Sequence, residues 1–301
     1  MRVKIPVLAA SAIILIYQGL ASGQAQPRNA VLIGWDGAQR NHVQEAMARG
    51  ELPNLSQLAH QGTIVAIDIL RTTDTKAGWS QILSGYEPEI TGVFSNSRYR
   101  SIPAGYTVFE RLENRFGPSN FATVAVIGKK GHVDADPGKP YFITKNACDV
   151  FLNGLEFNDV VGSTALNYLD AYRSMPFFFF IHFAEVDTKG HAYGENSKEY
   201  NDALISCDVW LGRILEKLEK LDLSRRTLVY VTADHGFDEG EKSHADAPYV
   251  FLATNDRTVI RRGGREDIAP TILFRLGLDL PKIFPPLTGR PLCLPLLKPN
   301  W

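Results

Sequence analysis

Apolar runs of strand length alternate along this chain with stretches in which apolar residues recur every three or four positions. The runs Ala30–Trp35, Phe121–Ile127, Phe177–Phe183, Thr227–Thr232 and Pro248–Ala253 are almost continuously hydrophobic. Each predicts a strand buried on both faces, as in the middle of a parallel sheet. Between the third and fourth runs, Tyr200, Leu204, Cys207, Leu211, Ile214 and Leu218 fall on one stripe of a helix over about 198–220, with Asn196 and Glu199 at capping-box spacing. Shorter helices are predicted over Thr75–Ser84, closed by Gly85, and over Asp267–Leu276, closed by Gly277. The alternation predicts one α/β domain, a mostly parallel central sheet sandwiched by helices.

The polar residues gain meaning from that architecture. In an open parallel sheet the carboxyl ends of the strands share one edge, where ligands bind. Asp36 follows the first predicted strand directly, Asp187 follows the third after a short turn, and Asp234 with His235 ends the fourth. Residues far apart in sequence are therefore expected to meet. The stretch Lys129–Asn158 breaks the alternation and is expected to form a small cap over that edge, setting specificity, while no Pro-, Gly- or Ser-rich linker divides the chain over 24–301.

The first residues stand apart. Arg2 and Lys4 precede an apolar stretch from Ile5 to Tyr17 and the small residues Ala21, Ser22 and Gly23, the layout of a secretory signal peptide. The run is shorter than the roughly 20 residues of a bilayer span, so cleavage is expected after residue 23, with an exported (periplasmic or extracellular) product and no stable membrane span. The 32 Lys+Arg and 33 Asp+Glu leave a formal charge of -1, which offers no field for a nucleic acid duplex. Of three cysteines, Cys207 is expected as a buried thiol, and a Cys148–Cys293 bridge is the pairing an oxidising compartment would allow. Oligomeric state is not written in this pattern.

Candidate chemistry gathers on the shared edge. Asp187-Thr188-Lys189-Gly190-His191 sets a carboxylate and an imidazole four residues apart, with a glycine that would let the backbone turn closely around a metal. Thr232-Ala233-Asp234-His235-Gly236 and the following His244 form a second donor set, and Asp36 a third, although Asp36 alone also reads as a helix cap. Thr75 opens a predicted helix, whose N-terminal N–H groups and dipole favour an alkoxide and a phosphoryl oxygen; Thr72 and Thr73 are its rivals as nucleophile. His182 reads as a core residue, and His132 as a cap residue able to meet substrate. Lys129, Lys130, Lys139 and Lys145 read as a solvated charged face or as a positive rim. Carboxylates mixed with imidazoles favour zinc over magnesium, with manganese and iron as the alternatives.

These motifs together resemble the alkaline phosphatase superfamily, in particular its nucleotide pyrophosphatase/phosphodiesterase, sulfatase-like branch. The resemblance rests on Gly34-Trp35-Asp36-Gly37, Thr75 through Ser84-Gly85, Glu87-Pro88-Glu89 with Gly92-Val93 and Asn96, Asp187-x-x-Gly-His191, Asp234-His235-Gly236, His244, and Asp267-Ile268-Ala269-Pro270-Thr271 with Gly289. It implies an alkaline phosphatase-like fold with two divalent ions, one held by Asp36, Thr75, Asp234 and His235 and the other by Asp187, His191 and His244. It also implies Thr75 as nucleophile through a phosphothreonine, and Asn96 as a donor to the phosphoryl oxygen. The expected activity is that of a type I phosphodiesterase or nucleotide pyrophosphatase acting on a small anionic phosphoester. Phosphomonoester, phosphonate or sulfatase-like hydrolysis at the same two-metal site is the alternative, and a silent binding protein retaining the fold is the second. Two departures bear on substrate: Ala77-Gly78-Trp79 stands where the branch carries Pro-Asn-His, which implies a different pocket wall. Thr75 and Trp79 also stand where formylglycine sulfatases need Cys or Ser and an arginine.

Overall fold

The computed structural model describes residues 27–133, 148–247 and 249–294; the expected leader over 1–23, and Lys139 and Lys145 of the expected cap, lie outside them. In chain order, strand β1 (Asn29–Trp35) leads to helices α1 (Arg40–Ala48) and α2 (Pro53–Gln61), strand β2 (Thr63–Asp68), and helices α3 (Thr75–Ser84), α4 (Pro88–Thr91) and α5 (Val108–Phe116). Strands β3 (Ala122–Ile127) and β4 (Val150–Asn153) follow, then helix α6 (Asn158–Ala171), strand β5 (Phe177–Phe183) and helices α7 (Glu185–Tyr193) and α8 (Lys198–Lys220). Strands β6 (Thr227–Thr232), β7 (Tyr249–Thr254) and β8 (Gly263–Gly264), a 3-10 turn Arg265–Asp267 and helix α9 (Ile268–Arg275) complete the domain.

The eight strands form one sheet in the order β4-β3-β5-β1-β6-β7-β2-β8. The five from β4 to β6 are mutually parallel, and every residue of β1, β3, β5 and β6 is buried. The Phe-rich β5 is flanked by strands on both sides, and each phenylalanine fully buried there contributes about 1.5–3 kcal/mol of transfer free energy. Helix α8 buries the stripe read from the sequence and packs on α2, α6 and α7.

Register builds the functional edge. Trp35 lies opposite Phe183, Gly34 opposite Thr232, and Ile127 opposite His182, so the residues after β1, β5, β6 and β3 emerge side by side. Gly37 turns the chain there with φ +77°, and a Cβ on it would come within 2.9 Å of the Asp187 Cα.

Several expectations are corrected. The last hydrophobic run is antiparallel to its neighbours β6 and β2, because β6 and β7 are joined by a loop without the crossover helix a parallel return needs. Helix α8 is capped by Ser197, whose hydroxyl accepts from Tyr200 N, while Asn196 turns to Glu239. The end of the expected cap, Val150–Asn153, is an edge strand pairing with β3. No disulfide joins the cysteines; Cys207 is a buried thiol.

Candidate active site

Helix α7 begins as soon as β5 ends, so Asp187 and His191 share a helical face at i, i+4 rather than a turn. Gly190 is then needed for packing: a Cβ on it would lie 2.5 Å from Cζ of Phe237. Asp234 and His235 leave β6 in the irregular segment that follows it, and His244 returns on the loop before β7. Thr75 is the first residue of α3, only 6 % exposed, and Gly85 closes that helix at φ +76°. Asn96 is exposed beside it, its Oδ1 accepting from Lys76 N at 3.0 Å, which leaves its Nδ2 donors for another partner.

These side chains converge on His235. Its Nε2 is 3.2 Å from Thr75 Oγ1, 3.5 Å from Asp36 Oδ1, 3.5 Å from Asp234 Oδ2 and 3.8 Å from Asp187 Oδ1. Its ring stacks on His244 with centroids 3.9 Å apart, and His191 lies 5.1 Å beyond His244. The structure thus brings together all seven residues expected to share two metals. It places Asp187 between the two expected sets, within ligand reach both of Asp36 with His235 and of His191 with His244.

The donor atoms fit cations. Asp36 Oδ1, Asp187 Oδ1 and Asp234 Oδ2 are buried with no hydrogen-bond partner, although His191 Nε2 lies 3.2 Å from Asp187 Oδ1, a costly arrangement for three carboxylates unless a cation meets them. His235 Nδ1 is 2.9 Å from Gly236 O, and His191 Nδ1 is 2.9 Å from Lys242 O. A carbonyl only accepts, so each ring presents an N–H at Nδ1 and turns Nε2 toward the carboxylates, the orientation of metal-binding imidazoles.

Charge shifts point the same way. Burial, and then the charges of Asp36 and Asp187, push Asp234 well above the usual carboxylate range. Burial also opposes the charge on Asp36, but His132 and His182 hold it well below that range. Asp187 is disfavoured by burial and by Asp36, yet His191, His235 and His132 bring it to about 2. His244 is pushed down to about 4 by burial and by its histidine neighbours, so at neutral pH it is an uncharged donor.

Sequence reasoning missed the groups behind these ligands. Asp36 Oδ2 receives His132 Nδ1 at 2.6 Å, His182 Nε2 at 2.7 Å and Trp79 Nε1 at 3.1 Å. His182 is buried as expected but touches a site residue, and His132 meets Asp36. Trp79 does not face solvent: it is fully buried over Gly34, where a Cβ would come within 2.3 Å of its ring. Lys129 pairs with Asp187 Oδ2 at 2.9 Å, so one of the expected rim lysines reaches inward. Among the rivals for nucleophile, Thr73 Oγ1 faces His244 Nδ1 at 3.4 Å, and Thr72 bonds Asp74. Arg265 was not singled out at all, although it is buried behind Asp234.

A mostly parallel sheet with an Asp/His cluster at its carboxyl edge defines an alkaline phosphatase-like protein, and solved structures share that fold. A member of the alkaline phosphatase superfamily from Vibrio parahaemolyticus aligns with TM-score 0.64 at 17% identity, over 91% of this chain and 72% of that one. The phosphonate monoester hydrolase of Agrobacterium radiobacter aligns with TM-score 0.63 at 14% identity, over 88% and 76%. The chain belongs to the type I phosphodiesterase / nucleotide pyrophosphatase family, whose model matches residues 30–279. It is 26% identical to human ectonucleotide pyrophosphatase/phosphodiesterase family member 1 over 67% of this chain and 22% of that protein. It is 24% identical to the bis(5'-adenosyl)-triphosphatase enpp4 of Mus musculus over 75% of this chain and 51% of that protein. The chain spans about half the length of the second relative and less than a quarter of the first.

Proposed function

We propose that this chain is a two-metal hydrolase of small phosphoesters, a type I phosphodiesterase or nucleotide pyrophosphatase that uses Thr75 as its nucleophile. The observation that carries the reading is the placement of Thr75 Oγ1 at a helix N-terminus, 3.2 Å from His235 Nε2 and beside three partnerless carboxylate oxygens. Asp36, Asp234, His235 and Thr75 would hold one ion and Asp187, His191 and His244 the other, zinc being the metal the mixed donors favour. Such ions, when bound, lower the hydroxyl pKa and neutralise charge on the phosphoryl oxygens.

The chain's own residues do the rest. Thr75 Oγ1 gives its proton to solvent and bonds to phosphorus as the P–O bond to the leaving group breaks, that oxygen taking a proton back from solvent; water then adds to the phosphothreonine, releasing the phosphate product and restoring the hydroxyl. Asn96, with its oxygen committed to Lys76 N, offers its amide N–H groups to the phosphoryl oxygen. A signal peptide over 1–23, as the layout of Arg2, Lys4, Ile5–Tyr17 and Ala21-Ser22-Gly23 suggests, would place its action outside the cytoplasm.

Thr75→Ala tests the reading. It should retain the fold and most of the metal, because Asp36, Asp234 and His235 remain, and turnover should fall by several orders of magnitude. Rapid quench with a labelled diester should trap label on the Thr75 peptide of the wild type. Near-normal turnover in the variant would refute the covalent route. Metal-free protein as isolated, active on none of a p-nitrophenyl monoester, diester, phosphonate and sulfate, would refute the hydrolase.

A further inference from the structure

We propose that Arg265 is a positioning residue for catalysis: it locks the segment that delivers Thr75 onto the strand end that carries Asp234. The proposal rests on the reading of Thr75 as nucleophile.

Arg265 is 1 % exposed, and a guanidinium that deep is expensive unless its donors are used. Among the described residues it forms no salt bridge, and its Nε has no partner. Nη1 donates to the carbonyl of Asp234 and Nη2 to the carbonyl of Thr72, each at 2.7 Å. One rigid planar group therefore spans two backbone oxygens, one at a proposed metal ligand and one three residues before the nucleophile. A lysine ammonium lacks the planar fork that fits two acceptors at once.

Two further features show that this junction needs holding. Arg71, next to Thr72, has φ +104°, a conformation that costs a non-glycine residue roughly 1–3 kcal/mol and persists only where its surroundings impose it. The Asp74 cap of α3 makes no side-chain bond to the helix, so the helix start depends on tertiary contacts. On the other side of the junction, α3 presses its backbone against Asp234 at Gly78. A Cβ there would lie 2.8 Å from both Cβ and O of Asp234 and 2.9 Å from Nη1 of Arg265. Gly78, Asp234, Arg265 and Thr72 thus form one contact that fixes how far Thr75 stands from His235. The base of Arg265 is anchored in turn: Asp267 Oδ2 accepts from Gly264 N, and Asp267 Oδ1 accepts from Arg290 N.

A nucleophile displaced by about 1 Å can cost about 100-fold in rate, and Arg265 bonds the main-chain carbonyl of Asp234 and not its carboxylate. Arg265→Ala, assayed on bis-p-nitrophenyl phosphate, should therefore lower kcat about 100-fold while KM and zinc affinity by calorimetry each stay within about threefold. Millimolar guanidinium should restore part of kcat, and the same concentration of sodium or tetramethylammonium should not. Arg265→Lys should remain impaired. Gly78→Ala, which pushes the same surfaces apart without removing a charge, should lower kcat more than it lowers zinc affinity, and it decides the matter with Arg265→Lys should Arg265→Ala not fold. Near-normal kcat in these variants overturns the proposal, as does a parallel loss of kcat and zinc affinity with no guanidinium rescue. If Thr75→Ala is inactive while the Arg265 variants are normal, only the positioning role falls; an active Thr75→Ala removes both readings.

Discussion

Replacing Asp234 by Asn should make the metal-free protein more stable and the zinc-loaded protein less stable than wild type. Asp234 Oδ1 accepts from Gly37 N, whereas Oδ2 has no partner. Asn can keep the first bond and present an N–H to the orphaned oxygens of Asp36 and Asp187. The magnitude follows from distance. Asp36 Oδ1 and Asp234 Oδ2 each lie 3.5 Å from His235 Nε2, so they are at most about 7 Å apart, and two charges at that separation repel by at least about 2 kcal/mol at an effective dielectric of 20. Asp187 adds a similar push. Partial protonation of Asp234 relieves some of it, leaving a gain of about 1–3 kcal/mol, or several degrees of Tm for a domain of this size.

The pH dependence has a fixed sign. The folded state raises the Asp234 pKa above its unfolded value of about 3.9. Below the unfolded value both states hold the proton and no penalty exists. As pH rises from there toward the raised folded value, the unfolded state ionises first and wild type loses stability. The variant's advantage should therefore be small at pH 5 and larger at pH 8. Saturating zinc should reverse the order, because free metal at 100 times Kd stabilises wild type by about 2.7 kcal/mol and the variant has lost an anionic ligand. Calorimetric melting of both proteins, with and without chelator at the two pH values, measures all four terms. A variant less stable than wild type at pH 8 without metal, or one with an undiminished zinc shift, would show that the three carboxylates do not form a strained cation site.

Gly190→Ala should lower Tm by a few degrees although alanine is the better helix former, because overpacking costs about 1–3 kcal/mol against roughly 1 gained in propensity. The displaced Phe237 ring abuts His191, His235 and His244, so kcat/KM should fall too; an unchanged Tm with full activity would mean that the ring moves aside freely. Export predicts that material from the native compartment begins near Gln24, and an intact Met1 in its mass spectrum would rule out processing.

The strands that carry the site were legible because burial on both faces leaves an unbroken hydrophobic run, and four of the five runs coincide with fully buried parallel strands. Direction was not legible: β7 is as hydrophobic as the parallel strands of the sheet, and only the missing crossover decides its sense. Strand β2 escaped notice because it buries only Ile67 fully, and β4 because four half-buried residues make too short a pattern. The seven proposed ligands could be read because each sits in a local motif. Trp79, His132, His182 and Arg265 could not, since their partners lie 43, 96, 146 and 31 residues away and no local spacing marks them. Periodicity placed a histidine in an apolar strand but could not say which carboxylate lay across from it.

That carboxylate explains why Trp79, His132 and His182 matter to the chemistry. Asp36 is fully buried, and a carboxylate there would ordinarily take up a proton and stop being a ligand. Trp79, His132 and His182 all direct ring nitrogens at Oδ2, which favours the charged form, and none of them touches Oδ1. One oxygen is saturated so that the other can stay anionic and bare, facing His235 and Thr75. Gly34 belongs to the same device, because only a residue without a side chain lets the Trp79 ring lie against β1 and reach Asp36. The Gly34-Trp35-Asp36-Gly37 segment, first read as a strand running into a ligand, therefore encodes the ligand, the cavity for the group that orients it, and the turn that brings it against Asp187.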